Sequence, residues 1–245
     1  MIRIIPSLLL KDRKLVKGVK FKEHKNAGNP KTTILSLDSQ KADEILLIDL
    51  DAYEYGKSND LETLKEISEI SSTPLTFGGG INSFEKAKKI LTSGADKIYI
   101  NSSLIKDKNL IDQIAYTFGS QSIVGGIDII KKKNNFFIAG DKTYKIDPIN
   151  YAKELQERGI GEIKITYKDL EGSRQGMEIN YSKKLKKAVN VPIIFEGGNG
   201  SLEDILNCCN QKIFSIALGT MIVFSDNNII KIKSFLRNFG HDVRL

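Results

Sequence analysis

Carboxylates and paired glycines stand at recurring places in this chain, each just after a short apolar run. Asp128 closes Ile123-Val-Gly-Gly-Ile127, Asp49 and Asp51 follow Ile45-Leu-Leu-Ile48, and Asp169 and Glu171 follow Ile163-Lys-Ile-Thr166. An acid at the end of an apolar strand is partly desolvated, which moves its pKa toward the range useful for proton transfer. Asp128 is therefore the foremost candidate acid–base residue, with a loop-capping carboxylate as the alternative. The glycines of Gly78-Gly-Gly80 and Gly197-Gly198 let backbone N–H groups come close to a phosphate. Asn101-Ser102-Ser103 and Leu218-Gly219-Thr220 add hydroxyls and further donors. Two phosphate cradles are expected, one from Gly79, Gly80, Asn101 and Ser102 and one from Gly197, Gly198, Gly219 and Thr220, so that a ligand with a phosphate at each end would span them. Simple tight turns are the competing explanation. His24 and His241 lie away from strand ends, and no Ser–His–Asp or metal-ligand spacing is present. Nucleophilic hydrolysis and metal chemistry are both disfavoured, and no metal or cofactor is expected.

At the opposite ends of the apolar runs stand Arg3, Glu44, Lys97 and Glu162, each at or near a strand start. Two cations and two carboxylates brought together there would form either a self-neutralising plug or a gate.

The elements that must position these groups read as β-rich runs alternating with helical patterns, the mark of βα units around a parallel sheet. Candidate strands are Ile2–Leu8, Glu44–Asp49, Pro74–Phe77, Lys97–Asn101, Ser122–Asp128, Glu162–Thr166, Pro192–Phe195 and Ile213–Leu218. Eight such units predict an α/β fold, a single (β/α)8 TIM barrel over residues 1–245, with catalytic groups at the C-terminal strand ends. Asn29-Pro30 and Asp147-Pro148 read as N-caps followed by proline, Asn82 with Glu85 as a capping box, and Gly94 and Gly159 as helix ends. Glu44-Ile-Leu-Leu-Ile-Asp49 recurs as Glu162-Ile-Lys-Ile-Thr166, 118 residues later, and Pro74-Leu-Thr-Phe-Gly-Gly79 recurs as Pro192-Ile-Ile-Phe-Glu-Gly-Gly198. The repeat implies two half-barrels, about 1–121 and 122–245. Two connections are longer than the rest. Residues 11–29 are rich in Lys and Gly (Lys11, Lys14, Lys17, Gly18, Lys20, Lys22, Lys25, Gly28), as a mobile lid over an anionic ligand or a solvated loop would be. Residues 129–146 read as a hairpin around Lys131-Lys-Lys-Asn-Asn135, with Phe136-Phe137-Ile138 returning as a strand before Ala139-Gly140-Asp141.

A length of 245 residues suits one barrel of this kind, and 40% hydrophobic with 27% charged residues suits a soluble globular chain. No apolar run approaches the roughly 20 residues that span a bilayer, so no membrane span is expected. The start, Met1-Ile-Arg-Ile-Ile-Pro6, moves straight into a strand-like run without a signal sequence, and the adjacent Cys208 and Cys209 suit neither a disulfide nor a zinc site. A cytoplasmic location is expected. The net charge of +7 comes from lysines scattered on helix faces without interleaved aromatics, which argues against nucleic acid as partner.

Leu15-Val-Lys-Gly18 with Phe21, Ala42-Asp-Glu44, Phe77-Gly-Gly-Gly-Ile81, Gly94-Ala-Asp-Lys97 with Ile100-Asn101, Phe118-Gly-Ser-Gln121, Gly161-Glu-Ile163 with Thr166 and the terminal Gly240-His-Asp-Val-Arg244 together resemble the cyclase subunit of imidazole glycerol phosphate synthase over essentially the whole chain. The resemblance implies a heterodimer in which a glutaminase docks on the N-terminal face of the barrel. Ammonia then passes a charged gate, matched by Arg3, Glu44, Lys97 and Glu162, to a phosphorylated substrate at the C-terminal face. It further matches Asp96 to a partner contact, Lys17 to the lid lysine, and Asp49, Thr166 and Gly172 to the substrate-binding set. The family uses two aspartates for cyclisation. Asp128 matches one, and Leu9 stands where the other belongs; Glu196 replaces a small polar residue and Glu171 an aspartate. All three departures lie on the substrate side while the gate residues are kept. That asymmetry resembles the paralogues associated with sugar amidation in glycan biosynthesis, with a sugar amidotransferase as a further candidate partner. The histidine-pathway cyclase itself, and a non-catalytic phosphate-sugar-binding scaffold, are the two alternatives.

Overall fold

Apolar residues on both faces of short strands, punctuated by capped helices, produce the closed parallel sheet that the alternation predicts. The computed structural model describes residues 1–19, 22–107, 109–139 and 146–244. Lys20 and Phe21 of the first long connection, and Gly140 and Asp141 of the second, lie outside the described residues. The strands are β1 (Arg3–Lys11), β2 (Lys14–Val19), β3 (Lys22–Gly28), β4 (Ile45–Asp49), β5 (Leu75–Gly78), β6 (Lys97–Ile100), β7 (Ile123–Lys132), β8 (Asn135–Ile138), β9 (Glu162–Tyr167), β10 (Ile193–Glu196) and β11 (Ser215–Leu218). β1, β4, β5, β6, β7, β9, β10 and β11 pair in parallel in that order, and β11 returns to β1 with Arg3 opposite Ser215 and Pro6 opposite Leu218. Eight parallel strands with helices between them make a (β/α)8 barrel.

One departure from the expected strand set, and one expected hairpin, lie at the mouth. The first long connection is a β-hairpin rather than a loop: β2 continues antiparallel from β1 and β3 pairs with β2. Asp12 and Arg13 take positive φ at the β1–β2 turn, and the Asp12 N–H donates to Asp51 Oδ2 at 2.6 Å. The second connection forms the expected hairpin, with β7 running on to Lys132 and pairing with β8. Asp169 accepts from the Lys131 N–H at 2.8 Å and ties that hairpin to the β9 loop.

Helix starts follow their caps. Asn29 and Asp147 each accept from a first-turn N–H with proline at the next position. The helix Phe84–Thr92 is capped by Ser83, not by Asn82 as the spacing suggested, because the Ser83 hydroxyl is the group placed to accept from Lys86 N. Gly79 and Gly80 have positive φ, and a Cβ on either would fall on the carbonyl oxygen of Asp49 or of Ala52. Gly197 and Gly198 make the same kind of approach to the carbonyls of Tyr167 and Gly176. The glycines are thus required first by backbone packing, which leaves their N–H groups at the mouth.

Ile4, Leu8 and Leu10 of β1 pack outward into the main core beneath the helices. Inside the barrel a smaller apolar layer gathers Ile5, Leu46, Tyr99, Val124, Ile194 and Ala217, with Ile48 beside it. Strand alternation therefore assigns every second residue to the bore, and charged and polar groups lie above and below this layer.

Candidate functional site

Below the apolar layer the four residues at strand starts meet as a ring. Lys97 Nζ lies 2.8 Å from a carboxylate oxygen of both Glu44 and Glu162. Arg3 pairs with Glu162 and, at 3.4 Å, with Glu44. Thr76 donates its hydroxyl to Glu44 at 2.6 Å, and Arg3 Nε donates to the Ser215 hydroxyl at 3.1 Å. Each carboxylate bridges both cations, so the ring is closed and neutral. Burial would push the Lys97 ammonium down, but Glu44 and Glu162 outweigh it and hold its pKa above the ordinary value. Asp96 stands exposed outside the ring, one oxygen accepting from the Leu75 N–H at 2.8 Å.

Above the layer, the face of β1 that holds Arg3, Ile5 and Ser7 also holds Leu9. Leu9 sits opposite Ile48 of β4 in the barrel register and is half-buried at the mouth. Across the bore, β7 directs Val124, Gly126 and Asp128 inward by the same alternation, with Asp128 opposite Thr166. Burial raises the Asp128 pKa; Lys164, Lys168 and a hydrogen bond from Asn101 oppose the rise, and Glu196 adds to it. The folded state thus holds the Asp128 proton more tightly than the unfolded chain does. Stability from this group is full below the ordinary value of 3.8 and is lost as pH rises through the folded pKa. Asp128→Asn is therefore expected to raise the melting temperature at pH 7, a gain that shrinks in acid, as thermal unfolding at the two pH values would show.

The other acids expected at the mouth have different duties. Asp49 is buried and accepts from the Ala52 N–H at 3.1 Å and the Asp60 N–H at 2.9 Å, capping the helix Leu50–Glu54. It follows Ile48, which faces the bore, so Asp49 itself falls on the outward face. Glu171 is buried against Lys17, whose ammonium reaches into the barrel from β2 and lies over Gly219. Among the described residues, the lysine-rich hairpin delivers Lys17 to the mouth as a buried group. Gly172 follows Glu171 with φ +69°. Ser102 precedes the helix Ser103–Lys106 without a side-chain cap, and Ser103 donates to the Ile81 carbonyl at 2.6 Å.

The sequence reading passed over Lys164. It stands on β9 between Glu162 and Thr166, so the period of two puts all three in the bore. Lys164 is 2% exposed, pairs with Glu196, donates to the Thr166 hydroxyl at 2.7 Å and lies 5.3 Å over the Tyr99 ring. A lysine on the same alternation as Glu162 and Thr166 was the available signal. Tyr99 leans over the neighbouring strand β7 to Gly126, where a Cβ would fall on the phenol oxygen. For Glu196, burial alone would raise the pKa, but Lys164 and Lys17, with a hydrogen bond from Ser7, bring it below the ordinary carboxylate range. Glu196 is thus held ionised, its pKa shifted in the opposite direction from that of Asp128. Thr220 Oγ1, Asn199 Nδ2 and Ser173 Oγ are buried at the ends of β11, β10 and β9 without a partner among the described residues.

Among the described residues no group of three metal-ligating side chains converges, and no helix is long and apolar enough to cross a membrane. Cys208 and Cys209 are free and buried, their thiols pushed up to about 12 by burial.

Residues 3–227 match the family described as histidine biosynthesis protein. Imidazole glycerol phosphate synthase subunit HisF of Sulfolobus acidocaldarius is 36% identical over 248 residues, 99% of this chain and 98% of that protein. The corresponding subunit of Symbiobacterium thermophilum is 38% identical over 250 residues, 99% and 98% of the two chains. A Pseudomonas aeruginosa protein named provisionally as imidazole glycerol phosphate synthase subunit hisF2 is 37% identical over 227 residues, 91% and 90% of the two chains. With a barrel closed over a neutral ionic ring and matches over nearly its full length, the chain belongs to the family of the cyclase subunit of imidazole glycerol phosphate synthase.

Proposed function

We propose that this chain is the synthase-type subunit of a glutamine amidotransferase whose acceptor is not the histidine-pathway substrate, in the manner of the paralogues associated with sugar amidation. A glutaminase partner docks on the N-terminal face, ammonia enters through the ring of Arg3, Glu44, Lys97 and Glu162, and a phosphorylated ligand sits at the C-terminal mouth. The observation that carries this reading is the pairing of a complete ionic ring with an aliphatic side chain, Leu9, on the bore face across from Asp128. A leucine transfers no proton. Glu196, the carboxylate that adds to the rise of the Asp128 pKa, is ion-paired and held ionised, so it has no proton to give. Met1, Ile70, Phe214 and Phe239 are exposed apolar residues at the N-terminal side of the barrel, where a protein partner would cover them. Asp96 lies on the same side. At the mouth, Gly79, Gly80, Asn101 and Ser102 supply the phosphate cradle, with the buried Thr166 beside Asp128.

The test is to add this chain to its cognate glutaminase and follow glutamine hydrolysis. Stimulation on adding the barrel is expected, and its absence, with no stable complex, overturns the reading in favour of a non-catalytic sugar-phosphate scaffold. One observation favours the histidine-pathway cyclase as second reading: the raised pKa of Asp128 suits a proton-transfer group. Robust ammonium-driven formation of imidazole glycerol phosphate by the unaltered chain would establish it.

A further inference from the structure

Two buried lysines, each neutralised from within, flank the β10/β11 end of the mouth. Lys17, 3% exposed, lies over Gly219 and pairs with Glu171, 6% exposed. Lys164, 2% exposed, pairs with Glu196, also 6% exposed, immediately before Gly197 and Gly198. The two cations that a phosphate would draw on are thus already matched by two carboxylates, and the four groups sum to zero. A dianion placed there would gain no net attraction from them and would face Glu196 and Glu171 at short range in a poorly solvated site, where like charges repel strongly. The groups left wanting partners are neutral: Thr220 Oγ1 and Ser173 Oγ, buried and unpaired among the described residues. Buried polar atoms of that kind are satisfied by ligand oxygens or water.

We propose that the β10/β11 end of the mouth receives an uncharged, oxygen-bearing part of the acceptor and turns phosphate away, with Glu196 and Glu171 as the residues that set this specificity. The proposal rests on the reading of the mouth as a ligand site and narrows its ligand class. The acceptor has one phosphate, at the Gly79, Gly80, Asn101 and Ser102 end, and a neutral hydroxyl- or amide-rich portion at the other. It thereby revises the expectation of a phosphate at both cradles.

Backbone-amide NMR of the whole chain, titrated with inorganic phosphate and separately with ribose 5-phosphate, tests this directly. Inorganic phosphate is expected to move the amides of Gly79, Gly80, Asn101 and Ser102 while leaving Gly197, Gly198, Gly219 and Thr220 in place; ribose 5-phosphate is expected to move both sets. In Glu196→Gln, inorganic phosphate should gain access to the second set, with a Kd at least about tenfold lower than in the parent. Glu171→Gln should do the same and keeps the test available if Glu196→Gln does not fold. Phosphate shifting the second set equally in parent and variants overturns the proposal, as do variants that gain nothing. Loss of response at the first set alone instead overturns the phosphorylated-ligand reading, leaving the comparison at Gly198 and Gly219 to decide this one.

Discussion

Leu9→Asp is expected to raise the ammonium-driven turnover number for the histidine-pathway substrate by about 10²–10⁴-fold at saturating substrate, the usual contribution of one general acid or base. Leu9 shares its strand face with Arg3, Ile5 and Ser7, so an aspartate there enters the bore on the opposite wall from Asp128 without rebuilding the backbone. Asp128 is already tuned by burial to hold its proton at higher pH than a free carboxylate. A second aspartate would add the missing partner in a two-residue proton-transfer system. The gain should appear in kcat, because position 9 contributes no phosphate contact. Substituting Glu196 by Ser in the same background should act on KM instead, by removing the anion beside Gly197 and Gly198. Steady-state kinetics of the single and double variants, with ammonium salts in place of glutamine, separates the two effects. A Leu9→Asp variant as inactive as its parent at saturation would sink the idea that position 9 is the missing proton-transfer post. Asp128→Asn introduced into the active variant should return it to baseline.

Lys164→Met is expected to cost about 3–5 kcal/mol of folding stability, the range for breaking a buried ion pair by removing one partner. Methionine keeps the length and apolar stem of the lysine, so the layer of Ile5, Tyr99, Val124 and Ala217 stays filled. What is lost is the counter-ion of Glu196, which remains buried beside Asp128, and the donor to Thr166. Replacing both partners, Lys164→Met with Glu196→Leu, removes the stranded charge and should recover most of that loss. Urea unfolding monitored by circular dichroism would show the single variant with a lower midpoint at unchanged slope. A single variant as stable as the parent would mean that the pair contributes little and that Glu196 reaches solvent without it.

Much of the scaffold was legible before the coordinates. The eight barrel strands were visible because short apolar runs between capped helices leave few alternatives, and the eight units close into a barrel. The ionic ring was legible for a related reason: a charged residue at a strand start, two positions before the next bore-facing residue, points into the floor. Ser83 in place of Asn82 as a cap shows the usual limit, a boundary uncertain by one residue when two capping types are adjacent. Asp49 shows a deeper one. Type and position suggested a mouth acid, but strand alternation turned it outward and two backbone amides claimed it.

The chain alone determined the periodicities, and with them the barrel and its two ends. Local sequence suffices there because strand alternation and helix capping act over a few residues. Only the tertiary structure decided which charges neutralise one another. Lys17 comes from a hairpin and Glu171 from a loop 154 residues away, and their meeting is a matter of long-range packing. Lys164 and Glu196 likewise meet across neighbouring strands in a space too apolar for either to stand alone. Charge pairing inside a closed bore depends on distances set by the whole fold, so the character of the mouth, unlike the barrel around it, emerged only when all the strands were in place.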